Sequence, residues 1–335
     1  MAARKAPAQS AEDRLIGRFF RPIASHPGAF GLVDDAAAIA APKGADLVLT
    51  TDAIVGGVHF FPDDPADLIA EKALRVNLSD LAAKGAEPAG FLLSLALPRT
   101  IGDDWLRRFA RGLRSDAAAY ACPLLGGDTV RTPGPVTISI TAFGTLPRGT
   151  MISRGGALTG DRVVVTGTIG DAALGLRLRH DPQAARRWTL SPADERHLAR
   201  RYLLPQPRNV LADALRHNAR GGMDVSDGLA GDLAKLCAAS GVAAEIAVMR
   251  VPLSRAARRA LAAEPALIET VLTGGDDYEV LATVAPRKLG TLQRAAVAAG
   301  VPLTDIGTIT RGAGARFRDH EGRALRFSSP SFSHF

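Results

Sequence analysis

The chain has 335 residues, of which 47% are hydrophobic and 22% charged, so disorder and collagen-like structure are excluded for most of it. At about 100–200 residues per domain, this length favours two domains. The two cysteines, Cys122 and Cys237, make neither a disulfide framework nor a cysteine-based zinc site, and they favour a reducing cytoplasm. No apolar run reaches the roughly 18 residues of a transmembrane helix, and the N-terminus lacks the apolar segment of a secretory signal.

The charge is basic, because 41 Lys and Arg residues against 34 Asp and Glu residues give +7. A basic balance suggests a polyanionic partner. The basic residues are dispersed, however, and aromatic residues make up only 5% of the chain, so few are available to stack on bases. We therefore predict no nucleic-acid partner, whereas an anionic small substrate such as a nucleotide remains compatible with the charge.

The predicted elements alternate between helix and strand. Ser10 can cap a first helix whose apolar stripe is Leu15, Ile16, Phe19, Phe20 and Ile23. The expected strands are 46–51, 91–97, 136–145, 162–166, 244–249, 279–285 and 304–310. The expected helices are 65–84, 103–120, 171–179, 192–202, 208–219, 228–240, 254–263 and 287–299. This order predicts an α/β or α+β protein, and the turn-rich stretch 147–161 is a plausible domain boundary.

Several well-known site motifs are missing from the sequence. There is no Walker phosphate loop, no protein-kinase motif set and no recognisable zinc spacing among the histidines. The run RVVVTGTIGDAALG lacks the G-x-G-x-x-G spacing and reads as a plain strand-to-helix turn. The segment DVSDG resembles the start of a calcium loop, but Gly228 and Lys235 stand where ligands are required, so an EF-hand is rejected.

The informative pattern is a set of aspartates beside small residues at the ends of apolar runs. The segments are GLVDDAA, TTDAIVGGVHF, NLSDLAAKGA, GGDT, MDVSDGL and GGDDYE. Each alone has a structural explanation. Gly-Asp pairs form turns, and Ser226 or Asp227 could cap the helix that starts at 228. Asn77 and Asp80 could share a solvated helix face, with Lys84 supporting Asp80. Together the segments favour a ligand-binding site, because strand ends and helix starts are where α/β folds place ligands.

Oxygen ligands without accompanying histidine or cysteine favour Mg²⁺ or Mn²⁺ over zinc. Glycines beside the aspartates would let the backbone approach a polyphosphate. The residues by themselves therefore predict a metal–nucleotide site assembled from several loops.

In combination these motifs resemble the thiamine-monophosphate kinase family, of the superfamily that includes aminoimidazole ribonucleotide synthetase and selenophosphate synthetase. The resemblance runs from about residue 11 to Phe335 and rests on TTDAIVGGVHF, KALRVNLSDLAAKGAEP, LLGGDT, SRGGALTGD, DVSDGL, GGDDYE and SFSHF. It implies a tail at 1–10, an N-terminal ATP- and Mg²⁺-binding domain at 11–149 and a C-terminal α/β domain at 150–335. It also implies a cytoplasmic homodimer in which the N-terminal domains pair into a shared β-barrel.

The reaction that the resemblance implies is transfer of the γ-phosphoryl group of ATP to thiamine monophosphate, the last step of thiamine diphosphate biosynthesis. ATP is then a co-substrate, several Mg²⁺ ions are expected, and no nucleic acid or membrane takes part. A phosphate oxygen is already anionic, so we expect direct in-line transfer without a catalytic acid or base and without a phospho-enzyme.

The resemblance also implies roles for individual residues. The expected metal ligands are Asp35, Thr50, Thr51, Asp52, Asp80, Asp128, Asp224 and Asp227. The expected ATP contacts are Tyr120, Gly127, Asp128, Arg154 and Ser226, and the expected thiamine monophosphate contacts are His59, Asp276 and Phe332. Among these, Asp52, Asp80, Asp128 and Arg154 would supply the electrostatic stabilisation.

Three positions depart from the family pattern. Val33 stands where a glycine usually precedes the first Asp pair, Asp276 replaces the usual Glu, and Phe332 replaces Tyr or Trp. Two alternatives to the kinase remain. One is another ATP-using enzyme of the same superfamily, although residues 1–30 contain no reactive cysteine of the selenophosphate synthetase kind. The other is a non-catalytic nucleotide-binding protein.

Overall fold

The fold was analysed in a computed structural model, which describes residues 14–34, 36–40, 42–329 and 331. The expected sites Asp35 and Phe332, the proposed cap Ser10 and the tail 1–10 lie outside these residues. The strands are β1 (Ala45–Val55), β2 (Glu87–Leu97), β3 (Leu124–Arg131), β4 (Thr137–Pro147), β5 (Arg162–Thr166), β6 (Ala219–Asp224), β7 (Ala243–Ala247), β8 (Val280–Val284), β9 (Leu303–Thr310) and β10 (Gly314–Arg318).

The α-helices are α1 (Ala66–Ala83), α2 (Asp103–Ala119), α3 (Asp171–His180), α4 (Ala184–Arg187), α5 (Pro192–Leu203), α6 (Ala212–Asn218), α7 (Leu229–Ser240), α8 (Arg255–Ala263), α9 (Leu267–Thr273) and α10 (Pro286–Ala298). Over the described residues, the predicted first helix is α-helical at 14–15, continues as a π-helical turn at Ile16–Phe20 and ends in a 3₁₀ turn at Arg21–Ile23. Three residues of its predicted stripe, Phe19, Phe20 and Ile23, are buried. No helix within the described ranges is long and apolar enough to span a membrane.

Two compact units make up the chain. The first comprises Met1–Lys43, Leu49–Asn77 and Pro88–Gly144, and the second comprises Gly44–Val48, Leu78–Glu87 and Thr145–Phe335. The four-stranded sheet has the order β1-β4-β2-β3, and β2 and β3 are parallel. The six-stranded sheet has the order β10-β7-β9-β5-β8-β6, with one parallel pair, β10 and β7. A two-domain α/β fold with mixed sheets is therefore confirmed.

The second unit encloses its sheet between two apolar clusters. Val163 and Val165 of β5 pack into one cluster, whereas Val164 packs into the other. Successive residues of a strand face opposite sides, so this division shows that both faces of the sheet are covered. A sheet covered on both faces leaves its strand ends and loops as the places where polar chemistry can be presented.

Three strands, β3, β6 and β10, differ from the expected set, and glycines explain the first two. A β-carbon at Gly127 of β3 would lie 1.8 Å from the carbonyl oxygen of Leu93 on the neighbouring strand. On β6, a β-carbon at Gly222 would meet Ile152 at 3.0 Å. Glycine is depleted in strands in general, yet it is required where another segment approaches this closely. The expected strand at 162–166 is confirmed without change.

Candidate functional site

Helix α1 carries polar groups in a buried setting. Asn77 is fully buried, and its Oδ1 accepts a 3.1 Å hydrogen bond from the backbone N–H of Asp52 while its Nδ2 donates to the carbonyl of Ala73. Both hydrogen-bonding ends of this amide are therefore used inside the protein, as a buried polar group requires. The interpretation of this face as solvated is wrong at Asn77.

Asp52 lies on β1, where successive side chains alternate between the two faces of the sheet. Thr50 and Asp52 share the half-buried face, and Thr51 lies on the exposed one. The Thr51 hydroxyl donates to the carbonyl of Ile140 at 3.2 Å and accepts from the hydroxyl of Thr141 at 3.1 Å. Of these three expected metal ligands, the strand thus brings Thr50 and Asp52 to one face.

His59 follows β1 in a short turn. Its Nδ1 accepts a 3.0 Å hydrogen bond from the backbone N–H of Val55. An accepting Nδ1 carries no proton, so the neutral ring holds its proton on Nε2. In that tautomer Nε2 is a hydrogen-bond donor, which suits a contact with a phosphate oxygen.

Two further expected nucleotide contacts lie in the first unit. Asp128 is exposed on β3, which forms an edge of the four-stranded sheet. Tyr120 ends helix α2, and the Arg75 guanidinium carbon lies 5.9 Å from the centre of its ring. The close approach of Gly127 to Leu93 gives this glycine a packing reason that does not involve a nucleotide.

In the second unit, the C-terminal turns of α1 meet β6. The Ser79 hydroxyl donates a 2.8 Å hydrogen bond to Oδ2 of Asp224, and Lys84 Nζ donates a 2.9 Å hydrogen bond to the Gly222 carbonyl. Burial lowers the pKa of Lys84, as does the nearby cation Arg154, whereas Asp224 and Asp80 act in the opposite direction. The structure therefore brings Asp80, Arg154 and Asp224 into the electrostatic neighbourhood of one lysine.

The sequence indicates Lys84 as an i+4 partner of Asp80, and it gives no indication of a role for Ser79. Its position next to Asp80 gives no signal, because adjacent residues of a helix point in different directions. Its partner Asp224 is far away in the chain, and only the packing of α1 against β6 makes the contact.

The loop 224–228 does not behave as a simple helix cap. Helix α7 is capped by the backbone of Gly228, and no side chain makes a capping hydrogen bond there. Asp227 instead forms an ion pair with Lys235, which also contacts Asp232. Partial burial lowers the pKa of Lys235, but its hydrogen bonds to Asp227 and Asp232 outweigh that effect and raise the pKa. The interpretation of Ser226 or Asp227 as the cap is therefore wrong.

The GGDDY loop at 274–278 pairs with this same segment. The backbone N–H groups of Asp276 and Tyr278 donate to the carbonyls of Ser226 and Val225, at 2.9 and 2.8 Å. Asp276 has φ +71° and Tyr278 has φ +50°. Left-handed backbone is unusual outside glycine and concentrates at functional sites. The structure thus joins the expected nucleotide residue Ser226 to the expected ring contact Asp276.

The two adjacent aspartates of this loop have different surroundings. Asp277 is fully buried, and its carboxylate accepts hydrogen bonds from the N–H groups of Gly170, at 2.7 Å, and Ala172. Burial raises the pKa of Asp277 well above its usual range. Asp277 therefore caps the start of α3, whereas Asp276 is half-buried in the loop.

The donor set expected for a metal consists of oxygen atoms only, from Asp and Thr side chains, which is the set that Mg²⁺ prefers. Within the described part of the chain, no group of three or more His, Cys, Asp or Glu side chains is close enough to hold an ion. The individual ligand assignments remain predictions. Val33 has φ −115°, so the backbone at this position does not demand the glycine that the family pattern predicts there.

Comparisons with known proteins identify the fold. The family model of the AIR synthase related protein N-terminal domain matches residues 33–146, and the model of the C-terminal domain matches residues 159–320. The two domains of the AIR synthase related class are thus both present, in order and over most of the chain.

The most informative relatives match nearly the whole chain. A thiamine-monophosphate kinase from Caulobacter vibrioides is 43% identical, over 93% of this chain and 88% of its own. The thiamine-monophosphate kinase of Escherichia coli K12 is 38% identical, over 97% of this chain and 98% of its own. The chain belongs to the thiamine-monophosphate kinase family.

Solved structures agree with that assignment. A thiamine-monophosphate kinase from Stenotrophomonas maltophilia is 39% identical with a TM-score of 0.82, over 93% of this chain and 96% of its own. AaThiL complexed with AMPPCP and TMP is 30% identical with a TM-score of 0.75, over 92% of this chain and 97% of its own.

Proposed function

We propose that this protein transfers the γ-phosphoryl group of ATP to thiamine monophosphate, giving thiamine diphosphate and ADP. The observation that carries this proposal is the match to thiamine-monophosphate kinases along nearly the whole chain. A relative of the same fold is complexed with AMPPCP and TMP, which are an ATP analogue and the phosphate acceptor.

In this reaction an oxygen of the thiamine phosphate forms a bond to the γ-phosphorus, and the bond from that phosphorus to the β,γ-bridging oxygen breaks. The acceptor oxygen is anionic at neutral pH, so no protein base has to remove a proton. The protein has to hold two polyanions together and neutralise their charge. Lys84 and Arg154 supply positive charge next to Asp80 and Asp224, and the Nε2–H of His59 supplies a donor for the thiamine phosphate.

Bound Mg²⁺ would neutralise polyphosphate charge and fix the orientation of the oxygens. The residues that would hold it are Asp35, Thr50, Thr51, Asp52, Asp80, Asp128, Asp224 and Asp227, and more than one ion is proposed. Tyr120, Gly127, Asp128, Arg154 and Ser226 are proposed to contact ATP. Asp276 and Phe332 are proposed to contact the thiamine rings.

We also propose the homodimer and its shared β-barrel. Strands β1 and β3 are the edges of the four-stranded sheet. Leu47 and Leu49 of β1 are 46% and 60% exposed, and Val130 of β3 is 47% exposed. An edge strand with exposed apolar side chains is a template for pairing with another chain, and a barrel removes such edges. The domain limits 11–149 and 150–335 and a cytoplasmic location remain part of the proposal.

A coupled ADP-release assay with thiamine monophosphate tests the function, with chromatography to identify thiamine diphosphate. Asp80→Asn should abolish most of the signal, and Asp104→Asn, at a side chain that is 91% exposed, should retain it. Thiamine, selenide and a purine-pathway amide are the comparison acceptors. Turnover with one of these alone would favour another enzyme of the superfamily, and binding of an ATP analogue without any turnover would favour a non-catalytic protein.

A further inference from the structure

A cavity within the second unit is lined by residues that have no assigned role in the proposed reaction. It has a volume of about 260 Å³, and its lining includes His197, Arg200, Arg201, Gln206, Arg208 and Glu279. These residues come from α5, from the loop that follows it, and from the segment leading into β8. Three arginines and one glutamate give this lining an excess of positive charge.

Glu279 is the only acid in the lining, and it is already neutralised. Its carboxylate is fully buried and accepts hydrogen bonds from Arg201 Nη2 at 2.8 Å and from Arg208 Nε at 2.7 Å. The Thr166 hydroxyl donates a further hydrogen bond at 2.7 Å. Two guanidinium groups around one carboxylate leave a net positive charge, to which Arg200 adds another.

Arg201 carries donors that this network does not use. The residue is only 5% exposed, and among the described residues its Nε and Nη1 have no hydrogen-bond partner. Buried donors in native proteins are nearly always paired, so these two N–H groups call for acceptors. Nε–H and Nη1 lie on different edges of the guanidinium, so each would take a separate oxygen, and the charge of the group favours an anion.

We infer that this cavity is a binding site for a small oxyanion, a phosphate or the phosphate group of a small ester. Arg200, Arg201 and Arg208 supply the charge, and the Gln206 amide supplies a neutral donor. The volume lies below the roughly 300–1,000 Å³ of pockets that enclose drug-sized ligands, so a whole nucleotide is not the expected occupant. The site is separate from the proposed function, because none of its lining residues is assigned to ATP or thiamine monophosphate.

Calorimetric titration of the full-length protein with inorganic phosphate, without ATP, tests the site. Arg200→Gln is the informative variant, because Arg200 is exposed and replacing it leaves the Glu279 network intact. Its matched control is Arg196→Gln, which lies one turn earlier on α5 and outside the cavity. We expect Arg200→Gln to weaken phosphate binding roughly five- to tenfold, the scale of one partly solvated charged hydrogen bond, and Arg196→Gln to change it less than about twofold. Gln206→Glu, which adds a negative charge, should also weaken binding.

Diffraction from crystals soaked in selenate locates the anion, and a parallel titration with glycerol phosphate separates an ester from free phosphate as the occupant. An anomalous peak beside Arg201 in the wild type and its loss in Arg200→Gln would support the site. Equal phosphate affinity in Arg200→Gln and Arg196→Gln would overturn it. So would selenate bound only elsewhere, or a peak without measurable binding in solution, which would be an adventitious ion only. Neither measurement involves turnover, so a failure here is distinct from a failure of the kinase proposal.

Discussion

The Ser79 hydroxyl donates a 2.8 Å hydrogen bond to Oδ2 of Asp224, across 145 positions of sequence. Asp224 is only 7% exposed, so this contact satisfies one oxygen of a nearly buried carboxylate. The charges of Asp80, the next residue along the helix, and of Asp224 both act to raise the pKa of Lys84. The contact therefore joins two expected metal-binding motifs, the NLSD helix and the DVSDG loop, within one unit.

The first prediction concerns Asp80. Asp80→Asn should lower kcat by at least about 100-fold, because one preorganised electrostatic contact to the polyphosphate is lost. The steady-state rate of ADP release at saturating Mg²⁺ measures the effect, and Asp104→Asn is the matched control. Near wild-type turnover of Asp80→Asn would remove this residue from the metal site.

The second prediction concerns assembly. Light scattering at micromolar concentration should show a homodimer, because β1 and β3 otherwise leave apolar sheet edges in water. Leu49→Asp places a charge on the β1 edge and should shift the protein toward monomer. Val297→Asp, on an outer helix where Val297 is 79% exposed, should leave the mass unchanged. A wild-type monomer, or equal behaviour of the two variants, would contradict the proposed barrel.

The third prediction concerns Asp276. Asparagine tolerates left-handed backbone, so Asp276→Asn keeps the φ of +71° and removes only the charge. A hydrogen bond to a charged group contributes about 1.5–3 kcal/mol, which corresponds to roughly 10- to 150-fold in affinity. We expect KM for thiamine monophosphate to rise by up to that factor while KM for ATP stays nearly constant.

Two further variants complete this test. Asp276→Ala should raise KM for thiamine monophosphate by the same factor, and Asp276→Glu, the usual family residue, should retain most activity. If KM for ATP rose in place of KM for thiamine monophosphate, Asp276 would belong to the nucleotide site.

The fourth prediction concerns acid stability. Asp171 is fully buried, and burial acts to raise its pKa, but hydrogen bonds with His197, Ser254 and Thr168 outweigh burial and lower the pKa overall. A folded-state pKa below the unfolded value, about 3.9, contributes stability that is fully present above pH 3.9 and is lost as the pH falls through the folded value.

Asp171→Asn should therefore lower the free energy of unfolding at pH 7 by about 1.5–3 kcal/mol, the range for a charged hydrogen bond. Urea unfolding measures the difference from wild type, which should shrink as the pH falls below about 4. Asp104→Asn serves as the exposed control. A wild-type advantage that stayed constant down to strongly acidic pH would mean that the Asp171 charge makes no contribution.

The fifth prediction concerns the thiols. Burial raises the pKa of Cys122 to about 12 and that of Cys237 to about 11. The thiolate is the reactive form, so neither cysteine should react with an aromatic disulfide reagent at pH 8 within minutes, whereas both should react in denaturant. Val297→Cys should add one rapidly labelled thiol. Rapid labelling of one thiol in the folded wild type would contradict the burial of these residues.

How far the sequence predicted the fold is clear from two strands. The limits of β5 could be predicted from its sequence, because a strand that is buried on both faces is a continuous run of apolar, β-branched residues. The segments of β3 and β6 contain glycine pairs and were missed, since the reason for glycine is the distance to another segment. That distance does not exist until the sheet has formed.

Some features of the candidate site could likewise be predicted from the sequence, and others depend on the tertiary structure. The sequence by itself determined the family through the order of its motifs. It also predicted the class of chemistry, because aspartates beside small residues favour hard cations and phosphates as ligands. Only the tertiary structure decided that Asp277 caps α3 while Asp276 lies in the loop. It also decided that Lys84 is close enough to interact electrostatically with both Asp80 and Asp224, and that Arg201 lines a cavity beside the buried Glu279. Each of these contacts depends on which distant segments meet and on how far water is excluded between them. Local residue spacing determines neither of these two conditions.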